Sequence, residues 1–130
     1  MTTTTPWAHL PNAVHINRVI ASAKANPDHW AAAWDVVRNA AWDVVRNAAW
    51  AEAWSTVQDA GRTAEYNAAW ATAVRESVRD AIIALIAYDD CAYMLDSDPG
   101  ELAILAKFGD PRAILLLPAC KAFHSLKELV

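Results

Sequence analysis

The sequence predicts an all-α fold, a helical bundle built on a long antiparallel helical hairpin with shorter flanking helices. Three observations carry the prediction. The chain holds 29 alanines against three glycines, a bias that favours helix at nearly every position. Helix-start signals recur: Asn26-Pro27-Asp28, Asp98-Pro99-Gly100-Glu101 and Gly109-Asp110-Pro111. No stretch alternates apolar and polar residues long enough to argue a strand. At 130 residues the chain is long enough to bury one core, and a 55% apolar composition argues against general disorder.

Residues 1–11 read as a tail, with Pro6 and Pro11 interrupting any pattern and Trp7 available to anchor it. Residues 12–130 read as one helical domain. Asn12 is placed to cap a helix over 13–25, whose apolar stripe is Val14, Ile16, Val19 and Ile20. Asn26, Pro27 and Asp28 supply a cap, a first-turn proline and an acid suited to the helix dipole. A long helix is expected from Pro27 to about Ala60. Gly61 is the only glycine before residue 100 and marks the break, with Thr63 as the next cap. A second long helix is expected to reach about Leu95. Each arm is about 34 residues, or ~50 Å at 1.5 Å per residue. Asp98 caps a short helix, Gly109 closes it, and Asp110-Pro111 opens the last one, which Pro118 is expected to kink or split.

Within the first arm, residues 32–39 and 40–47 are the same octapeptide, Ala-Ala-Trp-Asp-Val-Val-Arg-Asn, written twice. A row of large side chains runs through it in steps of four: Trp30, Trp34, Arg38, Trp42, Arg46, Trp50, Trp54, Gln58, Arg62, Tyr66, Trp70. Four residues leave an offset of about 40° on a helix, so the row winds around the axis instead of forming a fixed seam. The alanines between leave shallow grooves that let another backbone approach. Trp34, Arg38, Trp42, Arg46 and Trp50 are expected to stack as i,i+4 neighbours, with Asp35 holding Arg38 and Asp43 holding Arg46. Such a row can simply stiffen a helix. It can also bind: indoles stack on bases, guanidinium groups pair with phosphate, and Trp and Arg are enriched at protein-binding hot spots. The candidate ligand- or partner-binding residues are therefore Trp34, Arg38, Trp42, Arg46, Trp50, Trp54, Arg62, Tyr66 and Trp70.

Residues 81–95 are apolar on every side for two turns and predict the central helix. Asp89 and Asp90 follow directly and are candidate buried polar residues. They read as a helix end reaching solvent, as a buried acid paired with an arginine of the row, or as a functional acid in a hydrolase. Two adjacent Asp without a nearby His make a poor metal set, and no metal or cofactor is expected. Cys91 as a nucleophile needs a histidine partner, and His9, His15, His29 and His124 are scattered. Arg75, Glu76, Arg79 and Asp80 read as a solvated mixed-charge face. Cys91 and Cys120 lack metal-ligand spacing and read as free thiols of a reducing compartment.

A net charge of −4 argues against general nucleic-acid binding. The strongly apolar runs are far shorter than the ~20 residues that span a bilayer, and the residues after Met1 lack the features of a signal peptide. The expectation is a cytosolic protein. Apolar exposure along a winding row predicts self-association, most simply as a dimer.

Two flanking segments are more specific than the repeat. Leu10-Pro-Asn-Ala-Val-His-Ile-Asn-Arg-Val-Ile-Ala-Ser-Ala-Lys-Ala-Asn-Pro precedes the Ala/Trp/Asp/Arg tetrads, and Ala-Leu-Ile-Ala-Tyr-Asp-Asp-Cys-Ala-Tyr-Met-Leu follows them. Together they resemble small alanine/tryptophan-repeat proteins of bacteriophages and their hosts. The resemblance brings no activity and no functional residues. It implies context: an accessory factor without catalysis that binds a host protein, including a component of a defence system. The alternative is a sequestering protein for a nucleotide or cyclic-nucleotide signal.

Overall fold

In the computed structural model, which describes residues 5–128, the chain is all-helical, and no strand occurs among those residues. Seven α-helices follow in order: α1 Ala13–Ala25, α2 Pro27–Val37, α3 Ala40–Asp59, α4 Thr63–Arg75, α5 Arg79–Ala87, α6 Pro99–Lys107 and α7 Pro111–Glu128. A 3-10 turn, Ala92–Asp96, joins α5 to α6. No described helix is long and apolar enough to cross a membrane.

The two long arms do not form as single helices. The first is divided at Arg38–Asn39, where both residues are extended and the Asn39 side chain accepts from the Trp42 backbone N–H at 2.8 Å to start α3. The second is divided twice, at Glu76–Val78 and again after Ala87. The hairpin is therefore not the organising unit. Helices α5 and α7 are: α5 packs against α1, α3, α4 and α7, and α7 packs against α2, α3, α5, α6 and the 3-10 turn. Every residue of α5 from Asp80 to Ala87 is buried, as its all-round apolar sequence requires. In α7 the buried run Ala113–Cys120 includes Pro118, and the helix continues through it. Packing on several sides outweighs the ~3 kcal/mol that an interior proline costs.

Three helices end in the same way. Gly61, Ser77 and Gly109 have φ of 70°, 58° and 88°, and each donates its N–H to the carbonyl three residues back. The following residue in each case donates to the carbonyl five back: Arg62 to Val57, Val78 to Ala73, Asp110 to Leu105. These are Schellman ends, which favour glycine in the left-handed position. Two carry the glycine that marked them in the sequence. The third carries Ser77, so the sequence showed no break there.

Other expected caps turn to different duties. Asn12 does not cap α1. It is buried, and its Nδ2 donates to Leu85 O and Tyr88 O at 3.0 and 2.9 Å, closing the C-terminus of α5. Asn26 does not cap α2; its side chain donates to Ser22 O at the end of α1. Thr63 is the first residue of α4 and makes no side-chain cap. Asp98 does cap α6, accepting from Glu101 N, and Asp110 accepts from Arg112 N at the start of α7. In α1, Ile16 and Val19 are buried, but Val14 is 73% exposed and leaves the expected stripe. Trp7 and Leu10 are buried, and Trp7 Nε1 donates to Asn17 Oδ1 at 2.9 Å, so residues 5–11 fold onto α1. Residues 1–4 of the expected tail lie outside the described residues.

Candidate functional site

The row of Trp and Arg is split by the break at Arg38–Asn39 into groups with different surroundings. Its C-terminal part forms an aromatic cluster between α3 and α4. Trp50 and Trp54 stack with centroids 5.9 Å apart, and Tyr66 meets Trp54 at 5.0 Å and Trp70 at 5.4 Å. Tyr66 is buried and the three tryptophans are half-buried. Buried Ala49 and Ala53 on α3, and Ala69 and Ala73 on α4, allow close approach of the neighbouring helices. Burial is the main force raising the Tyr66 hydroxyl above its ordinary range. This cluster is part of the core wall.

Arg62 leaves the row altogether. Its guanidinium donates to Ile86 O at 2.8 Å and grips Asp89 with both terminal nitrogens. With Asn12, it satisfies the last carbonyls of α5. Asp89 and Asp90 are therefore not buried acids. Both are exposed in the turn after α5, where Asp89 pairs with Arg62 and Asp90 pairs with Arg112 at 3.0 Å. The Arg62 hydrogen bonds hold Asp89 below the usual carboxylate range, opposite to what an acid catalyst at neutral pH requires. The thiols are equally unsuited to nucleophilic work. Burial pushes Cys91 up to about 12 and Cys120 up to about 11, and each donates to a backbone carbonyl, Ala84 O and Ser97 O. Among the described residues no three His, Cys, Asp or Glu side chains gather as a metal site.

The N-terminal part of the row opens onto a cleft at the α2–α3 elbow, with a volume of about 940 Å³. One side is α2, contributing Trp30, Trp34, Asp28 and Asp35, with Arg38 at its end. The base is the start of α3, with Asp43, Arg46 and Asn47. The far side is the α4–α5 turn, with Arg75, Glu76, Ser77 and Arg79. Trp34 joins two of these sides, since its Nε1 donates to Ser77 O at 3.0 Å. Arg46 lies over the Trp34 ring at 5.4 Å, reaching across the break to a residue twelve positions away. The i,i+4 stacking expected of Arg38 and Arg46 with their neighbours does not form. Arg38 stands at the point where the helix ends, and Arg46 turns toward α5.

The reason Arg46 turns is Asp80. That carboxylate is 2% exposed, and Arg46 Nε donates to its Oδ2 at 2.7 Å. Arg79 stands at 3.9 Å from Oδ1. Burial is the main force raising the Asp80 pKa, and the two arginines oppose it. Neither Asp35–Arg38 nor Asp43–Arg46 forms an ion pair, so the expected local locks are absent. Arg75, Glu76 and Arg79 do lie toward solvent or at the cleft, but Asp80 is no part of a solvated face. The signal was present in the sequence: Asp80 directly precedes the seven-residue apolar run and so enters the core with the first turn of α5. Ser77 carried no signal.

Trp42 is half-buried on α3 outside the cleft lining, and its Nε1 is buried without a hydrogen-bond partner among the described residues. Of the nine sequence-selected binding candidates, the cleft gathers Trp34, Arg38 and Arg46. Comparison of the chain with protein-family models, with curated proteins and with solved structures gives no match.

Proposed function

We propose that the protein is a non-enzymatic binding protein, an accessory factor of the phage type that engages a host macromolecule, with a defence component among the candidates. The observation that supports this reading is the elbow cleft, where Trp34, Arg38 and Arg46 from the row meet Arg75 and Arg79 in one open concavity. Trp and Arg are the side chains that dominate protein-binding hot spots. Mixed charge supports a protein partner over a polyanion, because four carboxylates line the cleft beside the four guanidinium groups. The test places a photo-crosslinking amino acid at position 38 in host cells. One dominant adduct that disappears with Trp34→Ala supports the reading; adducts indifferent to that substitution overturn it.

A second reading is sequestration of a nucleotide or cyclic nucleotide. It is favoured by the Arg46 guanidinium over the Trp34 indole, a ready platform for a base, and by Arg38 standing nearby without a carboxylate. Quenching of tryptophan fluorescence by micromolar nucleotide, lost in Trp34→Phe, is the result this reading requires.

Self-association belongs to the same proposal. Ile104 on α6 is 56% exposed and Phe108, directly after its last turn, is 82% exposed. A monomeric mass by light scattering at working concentration removes this part.

A further inference from the structure

We propose that the elbow cleft is a docking groove for a protein segment that presents acidic and basic side chains together, and that Arg38 grips its carboxylate. The inference rests on the binding reading above and specifies the partner's chemistry.

Charge placement is the first argument. Asp28 and Asp35 lie two turns apart on α2, on the side of that helix that faces the groove. Neither has an ion-pair partner among the described residues, and neither does Asp43 at the groove base. On the α4–α5 side stand Arg75 and Arg79, whose own carboxylate contacts are long, Arg75 to Glu76 at 3.6 Å and Arg79 to Asp80 at 3.9 Å. One side of the groove is thus mainly acidic and the other mainly basic. A phosphate chain or a polyacidic peptide meeting Arg75 and Arg79 also meets Asp28 and Asp35. A segment with both charges answers both sides.

The state of Arg38 is the second argument. It shares its octapeptide setting with Arg46, yet Arg46 is committed to Asp80 while Arg38 ends α2 with no carboxylate in reach among the described residues. A planar fork of free N–H donors at a groove mouth matches a carboxylate in two-point contact. The third argument is preparation of the groove's wall and base. Trp34 is tied to Ser77 O and Arg46 to Asp80, so little ordering remains to be done on binding.

The probe is a displayed library of random 15-residue peptides selected on the full chain, with Arg38→Glu and Asp35→Arg as separate counter-targets. Both positions are exposed, and circular dichroism confirms that each variant keeps its helices. The expected result is enrichment of peptides with an acid and a base three or four apart beside an apolar residue. Their affinity should fall about tenfold or more on Arg38→Glu, and return when the peptide's acid is changed to lysine. Polyacidic peptides that need the cleft overturn the mixed-charge inference but leave the binding reading standing. ATP or a DNA 15-mer bound more tightly than any peptide overturns the inference and favours a nucleotide or polyanion over a protein partner. Peptides that bind the two variants as well as the parent chain do not use the groove and overturn the inference. No enrichment at all overturns the inference, while crosslinking from position 38 decides the binding reading independently.

Discussion

Residues 32–39 and 40–47 carry the same eight side chains in the same order, and the fold uses them in two ways. In the first copy the helix stops: Arg38 and Asn39 are extended, and Asn39 becomes the cap of the next helix. In the second copy the helix runs straight through, Arg46 is drawn onto Asp80, and Asn47 accepts from Arg46. Val37 is buried, while its counterpart Val45 is exposed. Trp34 is tied to the α4–α5 turn, while Trp42 Nε1 has no partner among the described residues. Local propensity is the same in both, so the difference comes from distant neighbours. Ser77 receives the first indole and Asp80 receives the second guanidinium. Propensities of a few tenths of a kcal/mol per residue are overridden by a buried ion pair and by the burial of one valine.

The largest expected effect contrasts the two arginines. Arg46→Ala leaves Asp80 buried against only the distant Arg79, and should cost about 3 kcal/mol of stability. Arg38→Ala should cost less than about 0.5 kcal/mol, since that side chain is exposed and unpaired. Urea denaturation of both variants measures the gap; equal losses break the comparison. Replacing the pair, Arg46→Met with Asp80→Leu, should recover most of the loss.

The two asparagines come next. Asn39→Ala removes a cap and should cost about 1 kcal/mol, whereas Asn47→Ala, mid-helix and exposed, should be neutral or slightly stabilising. A similar cost at both positions would mean that the helix break is shared between the copies.

Titration gives a third contrast. Burial raises the folded-state pKa of Asp80, so the folded chain holds a proton that the unfolded chain has lost just above the ordinary carboxylate pKa. Stability linked to Asp80 therefore falls as pH rises through that window, and Asp80→Asn removes the slope. Asp89 and Asp96 act the other way. Hydrogen bonds from Arg62 and Arg18 lower them, so their contribution is present above the ordinary carboxylate pKa and lost as pH falls through their folded values. Denaturation midpoints from pH 3 to 7, in the parent chain and in Asp80→Asn, separate the two. A parent profile unchanged by Asp80→Asn refutes the assignment.

The smallest effect tests the seat of Trp34. Ser77→Gly relieves a left-handed serine and should stabilise by about 0.5 kcal/mol after the added chain entropy is counted. A loss instead would show that the Ser77 side chain supports the cleft.

Much of the fold could be read from local chemistry. The helix starts at Pro27, Pro99 and Pro111, the stops at Gly61 and Gly109, and the buried helix before Asp89 all follow from residues acting within one or two turns of themselves. The aromatic row was visible as a row, but which members meet was not. Arg62 spends its donors on α5, Trp50, Trp54, Tyr66 and Trp70 close on one another, and four members, Trp30, Trp34, Arg38 and Arg46, line the cleft.

What the sequence determined alone is helix content, most helix boundaries and the presence of a central apolar helix, because these depend on φ preferences, caps and periodicity over a few residues. Tertiary structure alone decided that one octapeptide bends and its duplicate does not, that Asp80 is buried and Asp89 is not, and that Ser77 can end a helix. The first two outcomes involve partners 20 or more residues away, whose desolvation and hydrogen bonding no local window contains, and the third is a local turn whose carbonyl receives Trp34 from 43 residues away.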